Sequence, residues 1–197
     1  MCARVVRVFA SLAMVIPAVL PASAAAQAPA PRWLVEARGG LSVATGGYGD
    51  SRKTGYDLGA GAGYLLARRW RAHLDYDFVH NDAKANPVTG VTGPNYDTHL
   101  VMAGLGYEVP FRQSPVSLEL GAGAGISRFN PTGPSTSTLP SQTYFGVKAG
   151  ARISVAVNNR LHALMAPQVD VAFADRARLG ESRAWLWPVD LGFQYRF

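Results

Sequence analysis

The stretch Asp190–Phe197, DLGFQYRF, carries aromatic residues at Phe193, Tyr195 and Phe197, and the same spacing continues upstream. Trp185, Trp187, Val189 and Leu191 complete a set that is apolar at every second position. Between them lie Ala184, Leu186, Pro188, Asp190, Gly192, Gln194 and Arg196, a set that is mostly small or polar. A helix would scatter both sets around its circumference, so the segment is predicted to be a strand with one strongly apolar face. Two kinds of protein make such strands: a soluble sheet with one face on a core, and a barrel whose outer face meets lipid and whose inner face is polar.

Composition separates these two. Charged residues make up 16% of the 197-residue chain, against roughly 25% in soluble domains. The lysines are Lys53, Lys84 and Lys148 only, too few to solvate outer faces and protect sheet edges in the usual way. The formal charge of +6 falls to +4 when Arg4 and Arg7 are set aside, and no basic cluster interleaved with aromatics occurs, which argues against a nucleic-acid partner.

The first residues, MCARVVRVFASLAMVIPAVLPASAAAQAPAP, combine Arg4 and Arg7, an apolar run from Val8 to Leu20 and small residues at Ala24–Ala26. That layout predicts a secretory signal peptide over residues 1–26, the run being too short to span a bilayer, and a barrel domain over 27–197. Cys2 precedes the apolar run instead of following it, so a lipid anchor is not expected.

Alternation recurs along the rest of the chain. Segments beginning near Trp33, Tyr56, Trp70, Tyr96, Val116, Tyr144 and Leu161, together with the last one, give eight strands. Their connections run long, short, long, short, and aromatics gather near strand ends at Trp33, Tyr56, Trp70, Tyr107, Trp185 and Tyr195. Both features fit an all-β, eight-stranded antiparallel up-and-down transmembrane barrel with long extracellular loops and short periplasmic turns. A lipocalin-like soluble barrel is the competing expectation, with the same apolar set turned inward. The fourth segment admits both facings: Val101, Leu105, Tyr107 and Val109 favour one, and Leu100 and Met102 the other.

The mixed face of the strands carries Glu36, Arg38, Asp75, Asp77, Glu119, Lys148, Arg152, Asp170, Asp190 and Arg196. Ions inside a narrow barrel persist only when paired, so these residues are expected to form a lumen network, with Lys148 opposite Asp170 if the turn at Asn159 centres its hairpin. His73, Asp75 and Asp77 share that face and could be drawn as an acid–base set, but a filled lumen needs such groups in any case. The runs LGAGAGY and LGAGAGI lack the spacing and following helix of a nucleotide loop. Their glycines recur at period 2, where they leave room for charged neighbours. GYGDSRKT has Arg52 where a phosphate loop needs glycine. The four histidines show no metal-ligand spacing, and no cofactor is expected.

From Trp33 to Phe197 the sequence resembles the OmpA/OmpX-like family of small outer-membrane barrels. The most specific match is the final strand, where Asp190, Leu191, Gly192, Tyr195 and Phe197 look like the C-terminal signal read by the outer-membrane assembly machinery. The resemblance implies a bacterial outer-membrane location, contact with lipid and lipopolysaccharide, and a non-enzymatic surface scaffold serving envelope integrity, adhesion or host contact through unknown loop ligands. It does not extend to a peptidoglycan-binding domain. The alternatives are a small OmpW-like channel for minor or apolar solutes and a lipid A-modifying enzyme. The deacylases among such enzymes carry a His-x-Ser motif, where this chain has HAL at His162 and HLV at His99, and only His80 and His99 offer outer-face candidates.

Overall fold

The computed structural model describes residues 32–85, 88, 90, 92–109, 111, 114–133 and 139–197, so the signal-peptide expectation for 1–26 lies outside the described residues. The strands are β1 (Trp33–Thr45), β2 (Gly55–Ala67), β3 (Trp70–Asn81), β4 (Asn95–Val109), β5 (Val116–Thr132), β6 (Gln142–Ala156), β7 (Leu161–Phe173) and β8 (Arg183–Arg196). Each pairs antiparallel with its sequence neighbour, and β8 returns to β1 to close a barrel. At the closure, Trp33 and Phe197 exchange backbone hydrogen bonds of 3.0 Å in both directions. Short connections at 68–69, 110–115 and 157–160 mark one end of the barrel. Longer ones at 46–54, 82–94, 133–141 and 174–182 mark the other, and two short helices, α1 (Gly46–Asp50) and α2 (Arg176–Leu179), lie in them. No helix among the described residues is long and apolar enough to cross a membrane.

Facing decides between the two barrels. Leu41, Leu58, Leu74 and Leu191 are 62%, 55%, 57% and 66% exposed, while Asp57, Asp77, Asp170 and Asp190 are at most 1% exposed. The apolar stripe is on the outside and the carboxylates are inside. A lipocalin-like barrel has the opposite arrangement and is ruled out, because this outer surface would sit in water as one continuous apolar band. Strands of 12 to 17 residues exceed the roughly 9–11 needed to cross a bilayer. Aromatic pairs sit near both ends of the band, with Trp33–Tyr64 and Trp70–Tyr107 at the short-turn end and Phe145–Phe173 and Tyr56–Phe78 at the loop end.

The facing of β4 is now resolved. Val101 and Leu105 point outward, and Tyr96, Leu100 and Met102 are buried in the lumen. They join Tyr48, Val79, Phe129, Ala172, Ala184 and Leu186 in an apolar cluster at the loop end of the barrel. The two contradictory apolar sets of β4 therefore serve lipid on one side and this internal cluster on the other.

Candidate functional site

Strand alternation delivers the inward side chains to the lumen, and glycine makes space for them. A Cβ on Gly59 would lie 2.5 Å from Asp77 Oδ1 and 2.7 Å from Arg38 Nε, and one on Gly61 would lie 2.7 Å from Asp75 Oδ1. The glycines of β2 are thus the complement of the long charged side chains that lean over them from β1 and β3.

Arg38 is the hub. Its guanidinium donates to the carboxylates of Glu36 and Asp77, with Asp190 Oδ2 at 3.4 Å and Asp75 Oδ1 at 3.7 Å. From β6, Lys148 Nζ reaches across the lumen to Asp75 Oδ2 at 2.9 Å and Asp77 Oδ2 at 3.1 Å, both on β3. Arg152, two pleat repeats closer to the short-turn end, holds both oxygens of Asp75 at 2.8–2.9 Å and Glu36 Oε1 on β1 at 3.3 Å. Below it, Arg71 Nη1 donates to Glu119 Oε2 at 2.8 Å, and His73 Nε2 is 2.6 Å from Glu119 Oε1. His73 therefore faces Glu119 and not Asp75 or Asp77, which are engaged by cations, so the acid–base set drawn from sequence does not assemble.

Two of the inward charges expected from the sequence stand apart from this web. The register places Lys148 opposite Asp170, yet the ammonium turns away to β3, and both Asp170 carboxylate oxygens have no hydrogen-bond partner among the described residues. Arg196 sits at the short-turn end, where it donates to Gln194 Oε1 at 2.8 Å and approaches the hydroxyls of Ser117 and Ser154. It forms no ion pair among the described residues. A cavity of about 20 Å³ beside Lys148, Arg152 and Gln168, walled by Gly104, Gly121, Gly123 and Gly150, has room for about one water.

The loop end is packed differently. Tyr48 of α1 folds down over the lumen and packs its ring on Phe129 at 5.9 Å and Tyr96 at 6.5 Å, while Phe129 also meets Tyr144. The Arg52 guanidinium lies 4.5 Å from the Tyr96 ring centroid and 5.3 Å from that of Tyr48, a cation–π bridge that also donates to the Pro94 carbonyl. Burial pushes the Tyr48 phenol up to about 12, with the Arg52 charge only partly opposing it. This cap escaped sequence reasoning because Tyr48 and Arg52 lie in a loop without periodicity. The signal was present elsewhere, in Val79, Leu100, Met102 and Phe129 breaking the polar character of the inner face toward the loop end.

On the outer face near the loop end, His80 stacks on Tyr56 at 5.2 Å and contacts Asp97 at 2.5 Å, and Tyr76 contacts His99 at 2.8 Å. Both histidines lie within strands, β3 and β4. In β8, Leu191 and Tyr195 point outward and Asp190 inward, with Gly192 against the β1 backbone, and Phe197, just past the strand, is 57% exposed.

The profile of the outer membrane protein β-barrel domain family matches residues 11–165. No curated protein matches the sequence. Among solved structures, Neisserial surface protein A is similar at 19% identity over 84% of this chain and 97% of that one, with a TM-score of 0.67. OprG from Pseudomonas aeruginosa is similar at 14% identity over 85% and 97%, with a TM-score of 0.58. The attachment invasion locus protein Ail of Yersinia pestis, in complex with the heparin analogue sucrose octasulfate, is similar at 14% identity over 85% and 99%, with a TM-score of 0.53. At these identities the likeness is one of fold.

Proposed function

The chain belongs to the outer membrane protein β-barrel domain family, and from that premise we propose that it is a non-enzymatic surface scaffold with a plugged lumen, displaying its four loops for envelope integrity, adhesion or host contact. The observation that carries this is the set of ion pairs that cross the barrel. Lys148 and Arg152 leave β6 and end on β3 and β1, which supports a lumen filled from wall to wall. Above them the Tyr48–Phe129–Tyr96 cap covers the loop end. An OmpW-like channel needs a continuous path past both layers, and the one-water cavity beside Arg152 offers none. In planar bilayers the protein is expected to give no stable conductance steps at moderate voltage. Regular single-channel openings would overturn the plug and put the channel in its place.

The exposed Leu191, Tyr195 and Phe197 support a second part of the proposal, that β8 is the segment recognised by the assembly machinery and the partner against which β1 closes. Deleting Phe197 removes the backbone pair with Trp33 and an aromatic at the lipid interface. Burying such a side chain is worth about 1.5–3 kcal/mol, and each 1.4 kcal/mol is about tenfold in an equilibrium. The heat-modifiable band in the outer-membrane fraction is accordingly expected to fall by about tenfold or more. Normal assembly of the shortened chain would sink the signal role.

A further inference from the structure

We propose that the lumen holds one calcium ion between the carboxylates of Asp57, Asp77 and Asp190, directly beneath the aromatic cap. One oxygen from each of these residues lies within 4.8 Å of the other two. Calcium sits about 2.3–2.6 Å from its oxygen ligands, so a pair it bridges is separated by up to about 5 Å. Calcium can bridge any spacing up to that limit, whereas magnesium demands a near-ideal octahedron and gives up its water reluctantly, which suits a dry, all-protein pocket less well.

Proximity of acids alone would not make a site; the state of Asp57 does. Asp77 is engaged by Arg38 and Lys148, and Asp190 by Arg38. Asp57 is 1% exposed, neither of its oxygens has a hydrogen-bond partner, and no cation lies within ion-pair distance among the described residues. It is nonetheless aimed at the other two carboxylates. The existing cations cannot be reassigned to it, because Arg38 is already shared among Glu36, Asp75, Asp77 and Asp190, and Lys148 between Asp75 and Asp77. A buried carboxylate in this position takes up a proton or a metal ion. Oxygen-only donors of high negative charge are the set that a hard cation prefers.

The register shows how the chain builds the pocket. Gly40 of β1 pairs with Asp57 of β2 on one side and Asp190 of β8 on the other. With no side chain between them, both carboxylates lean into the same space: a Cβ on Gly40 would stand 2.7 Å from Asp190 Oδ1. Histidine spacing, the usual sequence cue for metals, has no part in this site.

The ion goes beyond the scaffold role and stands apart from it, since a lumen that conducts and one that does not can both hold calcium. The test uses the full chain refolded in an uncharged detergent, stripped with chelator and titrated with calcium chloride by calorimetry, with thermal unfolding followed in parallel. Expected are one equivalent bound at roughly millimolar or tighter affinity, a rise in Tm on adding calcium, and magnesium binding at least about tenfold weaker. Asp57→Asn should abolish both binding and the Tm response, yet melt above the parent protein in chelator because a like charge has left the cluster. Asp190→Asn, read the same way, serves if the first variant does not yield the heat-modifiable band. No saturable binding at roughly millimolar calcium overturns the site, whether or not protons are taken up instead. Binding that survives in both variants overturns it as well, since the ion would then sit on other acids.

Discussion

Replacing Arg38 with methionine is expected to destabilise the barrel by about 3–5 kcal/mol, the usual cost of removing one partner from a buried ion pair. Methionine keeps the length and apolar stem of the side chain, so the loss isolates the charge. The Arg38 side chain is fully buried, and Glu36, Asp75, Asp77 and Asp190 all lie within ion-pair distance of it. Without it, Lys148 and Arg152 remain as cations of the central lumen, and Asp190 loses its only ion-pair partner among the described residues. Urea unfolding in detergent or lipid vesicles measures the effect. Arg38→Lys should fall between the two, since a single ammonium cannot fork to Glu36 and Asp77 at once. Combining Arg38→Met with Asp77→Asn should cost less than the sum of the separate changes, because the second removes a charge that the first leaves bare. A single variant within about 1 kcal/mol of the parent would mean that these pairs behave as exposed ones do, and that the lumen is wet and open.

How much of this was legible in the sequence depends on which interaction positions a residue. Alternation places residues on faces, and it placed Glu36, Arg38, Asp75, Asp77 and Asp190 on the inner one, since in a strand the side chain's direction follows from the position's parity alone. β8 and β2 read cleanly because each has one uniform face. β4 did not, since the lumen changes from charged to apolar along its length and Leu100 and Met102 answer to the apolar end. Partner choice inside the lumen was not legible either. Register puts Lys148 beside Asp170, but the contacts Lys148 makes cross the barrel to β3, and nothing local to β6 or β7 encodes that crossing. Asp57 was not among the inner charges singled out from sequence, although its parity on β2 sets it with the glycines of the inner face, and its isolation leaves no mark in the sequence. That isolation depends on where Arg38 and Lys148 spend their charge.

Arginine at Leu74 is expected to cost about 2–4 kcal/mol, the penalty for that residue at the midplane of a lipid-facing strand. Leu74 lies midway along β3, between Trp70 at the short-turn end and Phe78 toward the loop end, and it is 57% exposed on the outer face. Exposure is what gives the test its force. In a water-soluble barrel a residue so exposed would accept arginine with a change within about 0.5 kcal/mol, and losing a surface leucine would if anything raise solubility. In lipid the guanidinium must leave water or drag water with it, so the same substitution becomes one of the most damaging on the strand. Leu139, 46% exposed in the 133–141 connection, provides the control: arginine there should leave unfolding in lipid vesicles unchanged. Equal tolerance at both positions would contradict the lipid-facing assignment of the whole outer stripe. A penalty at Leu74 alone ties the period-2 pattern that begins at Trp185 to its physical cause, since the face that alternation keeps apolar is then the face that solvates the bilayer.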